Sequence, residues 1–248
     1  MKPELYKDMA RLQADHWWFV ARRQILAAVI ARLSLPRQAR ILEIGCGTGG
    51  TLSMLAAFGQ LQAMEYDEQA RNLAVAITGL PVAAGGLPEP VPFDNNQFDL
   101  VCLLDVLEHI ADDGGALERA AQLLKPGGLL LVTVPAYSWL WSTHDDAHHH
   151  QRRYTAGRLR RLATAHGLQV DRLGYFNTLL FPLIAVARIW GRLTGRSANS
   201  DAVMPAPWLN ALLQRIFASE RYLAGYRFFP CGTSLAAVLS HKKEARYE

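Results

Sequence analysis

The chain has 248 residues, of which 50% are hydrophobic and 19% are charged, and its formal net charge is +4. This length and composition predict one globular domain with an insertion rather than two domains. The mild positive charge is compatible with an anionic substrate, an anionic membrane surface or a solvated arginine-rich face. Nucleic acid is not an expected partner, because the arginines are not interleaved with the aromatic residues that a single-strand groove requires.

The three cysteines, Cys46, Cys102 and Cys231, follow no C-x-x-C or metal-binding spacing. They are typical of small buried side chains in a reducing compartment. The N-terminal segment has no apolar signal region. The longest apolar stretch, residues 179–187, contains a proline and is shorter than the ~20 residues that a membrane-spanning helix needs. We therefore expect a cytoplasmic protein that is either soluble or peripheral at the inner membrane.

Residues 4–33 have apolar side chains at helical spacing, which predicts an amphipathic helix packed on a core. Trp17 and Trp18 follow one another within it. Two adjacent tryptophans cannot both face inward on one helix, so we expect one of them to line a cleft. A core residue beside a half-exposed neighbour is the alternative.

A short apolar run ends at Ile44 and is followed by a glycine cluster and the start of a helix. This arrangement of strand, turn and helix lets backbone approach a ligand at a helix N-terminus. Gly45, Gly47 and Gly50 fit the dinucleotide pattern G-x-G-x-x-G, and Glu65 lies about 20 residues further on. The pattern alone does not separate a nicotinamide cofactor from an adenosyl one.

Strands alternating with helices predict an α/β fold with a doubly wound, mostly parallel sheet. After the first strand, further strands are predicted at 61–67, 81–85, 98–104, 128–134, 168–175 and 232–239. The helix after the glycine turn is expected to end at Gly59 in a left-handed cap, and Thr155 is expected to start a later helix. The ligand crevice of such a sheet lies at the carboxyl ends of its strands.

The ordered motifs along the chain resemble those of a class I S-adenosylmethionine-dependent methyltransferase, over roughly residues 35–240. Nicotinamide enzymes do not share the later motifs. The motifs are LEIGCGTG at 42–49, MEYD at 64–67, FDLV at 98–101, LDVLEHI at 104–110 and LKPGGLL at 124–130. The resemblance implies a Rossmann-like sheet of seven strands, the last of them antiparallel.

The same resemblance implies S-adenosylmethionine as the cofactor. The residues that we expect around this cofactor are Arg22, Glu43, Gly45, Cys46, Gly47, Gly49, Glu65, Tyr66, Leu87, Asp105, Val106 and His109. Glu65 would accept both ribose hydroxyls. Leu87 would contact adenine, while Gly85 and Gly86 stand where many relatives carry an Asp or Asn.

Methyl transfer to a hydroxyl or an acidic carbon also requires a base, and histidine titrates near neutral pH. Residues 136–154 form a long loop that is too rich in His, Asp and Arg to be core. Within it, His144 beside Asp145 is the first catalytic candidate, and His150 and His109 follow. The histidines could equally belong to a plain polar loop. Two histidines and a carboxylate could also hold a metal ion, but no fixed spacing supports this, and no metal ligand is assigned.

We expect the N-terminal helical segment, residues 1–34, to act as a lid over the cofactor, with Arg22 or Arg23 on the cofactor's carboxylate. Deleting it should abolish binding while the sheet still folds. Its HWWF sequence at 16–19, followed by the two arginines, resembles a bacterial subgroup whose members often act in glycan or lipid pathways.

Residues 175–230 form an insertion that the family's usual short connection lacks. Its first half is apolar on every side of a helix, and Arg188, Arg192 and Arg196 follow at helical spacing. Because the helices before and after the first five strands cover the sheet and leave little core for it, we expect a helical hairpin that receives a hydrophobic acceptor or rests on a membrane. Helices packed on each other or in a homodimer interface are the alternative.

The resulting hypothesis is a methyltransferase that acts on a small or lipid-like hydrophobic acceptor in bacterial lipid, glycan or secondary metabolism. The alternative is a subunit that binds the cofactor or a lipid without catalysis. Conversion of the cofactor to S-adenosylhomocysteine separates these two functions.

Overall fold

A computed structural model describes residues 3–89, 91–194 and 203–242. Within these residues, seven strands form one sheet in the order β3-β2-β1-β4-β5-β7-β6. The strands are β1 (Ala39–Ile44), β2 (Gly59–Glu65), β3 (Val82–Ala84), β4 (Phe98–Leu104), β5 (Leu124–Pro135), β6 (Leu168–Phe176) and β7 (Ser234–His241). Strand β7 runs antiparallel to β5 and β6, and the other pairs are parallel. The predicted doubly wound, Rossmann-like sheet is confirmed.

Helices cover both faces of this sheet. They are α1 (Pro3–Asp15), α2 (Trp17–Ile30), α3 (Leu52–Ala56), α4 (Glu68–Thr78), α5 (Asp113–Gln122), α6 (Thr143–Ala147), α7 (Ala156–Ala165), α8 (Phe181–Thr194), α9 (Pro207–Ser219) and α10 (Arg221–Ala224). Alternate residues of a strand face opposite sides. Accordingly, Leu42 packs in the core beneath α5 and α7, and Ile41 packs in the core beneath α2 and α9.

Two predicted helix boundaries were wrong. The single helix over 4–33 is broken at His16, whose ring accepts a hydrogen bond from the amide of Trp18 and caps α2. Gly59 does not cap a helix, because it is the first residue of β2 and pairs with Ala39. A side chain at position 59 would collide with the Ala39 carbonyl, so glycine permits this strand pairing.

The loop over 136–154 is more ordered and more buried than its composition predicts. It contains a 3-10 turn (Ser138–Leu140) and helix α6, and Asp145 in it is 0% exposed. Arg153 is also buried and donates from Nε to Asp145 Oδ1 over 2.8 Å. The prediction that this loop is too polar for the core was wrong for these residues, because the two charges satisfy each other.

The insertion divides into a core part and an exposed part. Helix α9 packs against α2 and buries Phe217, which stacks on Phe176 at 6.2 Å between ring centroids. The expectation that little core is left for the insertion was therefore wrong for α9. Its attachment to β6 is fixed by buried Glu220, whose carboxylate accepts backbone N–H bonds from residues 177–179.

Helix α8 has an outer face of exposed apolar side chains: Leu183, Val186, Trp190 and Leu193. Its inner face includes Ile184, which packs against the core beneath α2, and Leu180, just before the helix, is buried. Every helix in the described part of the chain is too short or too polar to cross a membrane. Arg196 and the polar linker around it, like the charged tail after residue 242, lie outside the described residues.

Candidate active site

The glycine turn after β1 brings two strand ends into contact. Gly45 has a φ of +72°, which favours glycine, and a Cβ there would lie 2.8 Å from Val106 Cγ2 in the turn after β4. Gly47 also has a positive φ, of +55°, but faces open space. The turn therefore presents bare backbone to a ligand while the loops after β1 and β4 touch.

Glu65 lies at the end of β2 and is held by two backbone amides. Its Oε2 accepts a hydrogen bond from the amide of Gly47, and its Oε1 accepts one from the amide of Asp67, both at 2.8 Å. Each carboxylate oxygen has a second lone pair. The carboxylate is thus preoriented, and it can still accept two hydroxyl groups from a ribose.

Glu43 is buried at the end of β1, beneath the glycine turn. Its Oε1 accepts a hydrogen bond from the Thr51 hydroxyl at 2.5 Å, whereas its Oε2 has no partner among the described residues. Burial raises the pKa of Glu43 to about 7, although the bond from Thr51 and the charge of Arg22 oppose this. A buried carboxylate oxygen without a partner fits an incoming ammonium group, such as that of the methionine portion of S-adenosylmethionine.

Arg22 joins the opposite wall through Asp105. Its Nη2 lies 2.9 Å from Asp105 Oδ2 and donates to Thr133 Oγ1 over 3.0 Å. Thr133 in turn donates to Asp105 Oδ1 over 2.9 Å. Arg23 instead donates to the carbonyls of Gln13 and Ala14, which ties α1 to α2. Of the two arginines proposed for the cofactor's carboxylate, Arg22 is the one fixed beside the cofactor turn.

Helices α1 and α2 contribute differently to this wall. Helix α1 covers the glycine turn, where Gln13 Oε1 accepts a hydrogen bond from Thr48 Oγ1 at 2.8 Å. Helix α2 buries Ile25, Leu26 and Val29 in the core beneath the sheet. Helix α1 thus lies over the glycine turn, whereas α2 is part of the core.

Four histidines gather at the other end of the site: His109, His144, His148 and His150. The ring centroids of His109 and His150 are 4.7 Å apart, and those of His144 and His148 are 4.1 Å apart. Asp145, the sequence neighbour of His144, is bound by other residues of this loop. Its oxygens accept from His150, Arg153 and Ser142, because α6 turns the carboxylate inward.

Burial sets the charge of this cluster. Burial, together with the charge of His150, lowers the pKa of His109 to about 4, and burial beside the other histidines lowers the pKa of His148 to about 3. Both rings are therefore neutral at pH 7. Burial opposes the ionisation of Asp145, but hydrogen bonds from His150 and Arg153 hold its pKa below the usual range.

One cavity of about 980 Å³ joins the glycine turn to the histidine cluster. Of the residues that the sequence predicts for the site, the following line this cavity: Arg22, Glu43, Gly45, Cys46, Gly47, Glu65, Tyr66, Leu87, Asp105, Val106, His109, His144 and His150. Gly49 packs against Ala74 of α4 instead, and Asp145 lies behind His150.

Sequence reasoning missed two residues of this site. Thr51 supplies the hydrogen bond that orients Glu43, and Glu108 lies on the cavity wall with its side chain buried. Glu108 is part of the LDVLEHI motif, so its position signalled proximity to the cofactor loop. Nothing in the motif indicates that its side chain turns inward.

The fold, the glycine turn and the acid after β2 together define a class I S-adenosylmethionine-dependent methyltransferase. A family model described as a methyltransferase domain matches residues 18–173, and the chain belongs to this family. It is therefore an enzyme, and S-adenosylmethionine is its cofactor. The carboxylates and the glycine turn described above fit that cofactor.

Individual relatives agree with this assignment. A probable S-adenosylmethionine-dependent methyltransferase from Mycolicibacterium smegmatis is 26% identical over 215 residues, which cover 84% of this chain and 80% of the relative. A ubiquinone biosynthesis O-methyltransferase from Bradyrhizobium sp. is 33% identical over 107 residues, which cover 40% of this chain and 41% of the relative. The second alignment spans less than half of either protein.

Solved structures support the fold. An S-adenosylmethionine-dependent methyltransferase from Thermotoga maritima has a TM-score of 0.59 at 17% identity, covering 96% of this chain and 99% of its own. A geranyl diphosphate C-methyltransferase from Streptomyces coelicolor, solved with S-adenosylhomocysteine, has a TM-score of 0.57 at 11% identity, covering 86% and 75%.

The raised pKa of Glu43 predicts a pH dependence of cofactor binding. Below about pH 7 the carboxyl is protonated and cannot pair with the cofactor's ammonium, so its contribution appears as the pH rises through 7. We predict that calorimetry gives roughly 10-fold tighter binding of S-adenosylmethionine at pH 8 than at pH 6.

The variant Glu43→Gln should lose this pH dependence. 5′-Methylthioadenosine, which has the same nucleoside without the amino acid, should bind both proteins equally at either pH. An unchanged pH profile in Glu43→Gln would exclude Glu43 from the ammonium site.

Proposed function

We propose that this methyltransferase transfers its methyl group to a hydroxyl of a lipid-like, hydrophobic small molecule of bacterial lipid, glycan or secondary metabolism. The observation that carries the proposal is the single cavity with two chemically different ends. One end has the glycine turn, Glu43 and Glu65, and the other has the histidine cluster. Its apolar lining between them, which includes Trp18, Leu140 and Ile184, supports a hydrophobic acceptor.

In the proposed reaction, the acceptor oxygen attacks the methyl carbon in line with the sulfonium. The carbon–sulfur bond breaks, and its electron pair stays on sulfur to give S-adenosylhomocysteine. The protein mainly has to hold oxygen and methyl ~3 Å apart and exclude water. The proton of the hydroxyl passes to His144, which lines the cavity beside the neutral ring of His148.

We assign the lid to α1 alone. This is supported by the bond between Thr48 and Gln13 over the glycine turn, and by Tyr6, whose phenol contacts Asp67 beyond β2.

The outer face of α8 is proposed to rest on an anionic membrane, with Arg188 at the cavity wall beneath it. This is supported by Ile184 on the same helix, which lines the cavity. The exposed face of α8 and the cavity therefore adjoin, so a lipid-like acceptor could enter directly.

The base assignment predicts a kinetic effect without a binding effect. His144→Ala should lower kcat by roughly 10²–10⁴ while the Kd for S-adenosylmethionine stays nearly unchanged. The readout is conversion to S-adenosylhomocysteine with acceptor extracts. His241→Ala, at the exposed opposite end of β7, is the matched control. A loss below about threefold would remove the role from His144.

The lid assignment predicts that removing residues 1–15 weakens binding of S-adenosylhomocysteine by about 1–2 kcal/mol, the size of one or two lost hydrogen bonds. Thermal unfolding should remain cooperative, because α2 is retained with its cap at His16. Unchanged affinity would refute a lid. Loss of cooperative unfolding would assign α1 to the core and equally exclude a lid.

The membrane assignment predicts that the protein floats with anionic liposomes. Leu183, Val186 and Leu193 are 62%, 64% and 79% exposed, so changing them to Ser should prevent flotation without disturbing the core. Leu180 is unsuitable for this test because it is only 5% exposed. Val75→Ser with Ile77→Ser, on α4, is the control for exposed apolar residues elsewhere. A protein that stays in solution and elutes as a dimer would assign this face to a homodimer instead.

A further inference from the structure

Three side chains with metal-ligand chemistry converge at the histidine end of the cavity. Glu108, His109 and His150 each offer one ligand atom, and these atoms all lie within 4.8 Å of one another. Glu108 and His109 are in the 3-10 turn after β4, whereas His150 follows α6. The fold therefore builds the cluster from two segments that are distant in sequence.

Both imidazole rings are held in place by neighbouring groups, and His150 has a carboxylate partner on one nitrogen. His150 Nδ1 lies 2.8 Å from Asp145 Oδ1, and Asp145 is itself fixed by Arg153. The ring of His109 packs edge-on against that of His150, with 4.7 Å between the ring centroids. Metal-binding histidines are oriented as His150 is, because a carboxylate or carbonyl on one nitrogen fixes the tautomer and leaves the lone pair of the other for the metal.

Glu108 is the unexplained member of the cluster. Its side chain is 1% exposed, and neither carboxylate oxygen has a hydrogen-bond partner among the described residues. The nearby cations are already paired, Arg22 with Asp105 and Arg153 with Asp145. A carboxylate that is buried without partners is costly to ionise, and a cation at this position would remove that cost.

We propose that Glu108, His109 and His150 form a site for one divalent transition-metal ion. Two imidazoles and one carboxylate are the ligand set of catalytic zinc sites and of non-haem iron(II) sites, both of which leave a coordination position open. Mg²⁺ prefers oxygen ligands and is not expected here. Because all three residues line the cavity, an ion held by them would be accessible to an oxygen of the acceptor.

This role in the reaction rests on the proposed methyl transfer to oxygen, but binding of the metal does not. A hydroxyl bound to a divalent ion loses its proton more readily. That proton passes to His144, the oxygen attacks the methyl carbon, and sulfur keeps the electron pair of the broken bond. The proposed acceptor is therefore a molecule that enters the apolar cavity and carries a hydroxyl group able to reach the metal ion.

The test is a titration of the metal-stripped full chain with Zn²⁺ against a competing chelator, without cofactor or acceptor. We expect one tightly bound equivalent that excess Mg²⁺ does not displace. Co²⁺ in place of Zn²⁺ should give visible ligand-field absorption. Because the titration contains no acceptor, its failure would leave the proposed methyl transfer standing.

Variants identify the ligands. Glu108→Gln and His150→Ala should each weaken Zn²⁺ binding by more than ~10-fold, since loss of outer partners alone costs roughly 10–100-fold. His241→Ala should bind like the wild type, and calorimetry with S-adenosylhomocysteine should show that each variant is folded. Unchanged Zn²⁺ affinity in Glu108→Gln, or loss only in His144→Ala and His148→Ala, would overturn the assignment.

Discussion

The contact between the turn after β1 and the turn after β4 is the constraint on which the site depends. Gly45 lies against Val106, and any larger residue at position 45 would push the turns apart. Glu43 precedes this contact in one chain segment, and the turn that carries Glu108 and His109 follows it in the other. The contact thus sets the distance between the cofactor end and the histidine end of the cavity, and methyl transfer tolerates little error in that distance.

The buried charges around the cavity divide by how they are paired. Asp105 with Arg22 and Asp145 with Arg153 form ion pairs, which fix the walls. Among the residues that the structure describes, Glu43 has a partner for one carboxylate oxygen, and Glu108 has none for either. Buried polar groups are normally satisfied. The unsatisfied oxygens therefore mark where ligands complete the structure, one beside the cofactor turn and one beside the histidines.

The insertion combines a structural helix with an exposed one. Helix α9 is held against α2 by Phe217, and Glu220 ties its end to the backbone that leaves β6. This anchoring leaves α8 with one face on the cavity and the other open to solvent. The combination of an anchored α9 and an exposed, apolar α8 is consistent with the proposed entry of a hydrophobic acceptor beside the active site.

The sequence by itself determined the sheet, the glycine turn, Glu65 and the cofactor class, because each depends on a local pattern of neighbouring residues. It did not determine the helix break at His16, the strand role of Gly59 or the core position of α9, since these depend on what packs against them. The pairing of Asp145 with His150, and the approach of His150 to Glu108, were decided only by the tertiary structure. The spacing of residues along a chain does not show which side of a loop faces the core. That is decided by packing against segments that are distant in sequence.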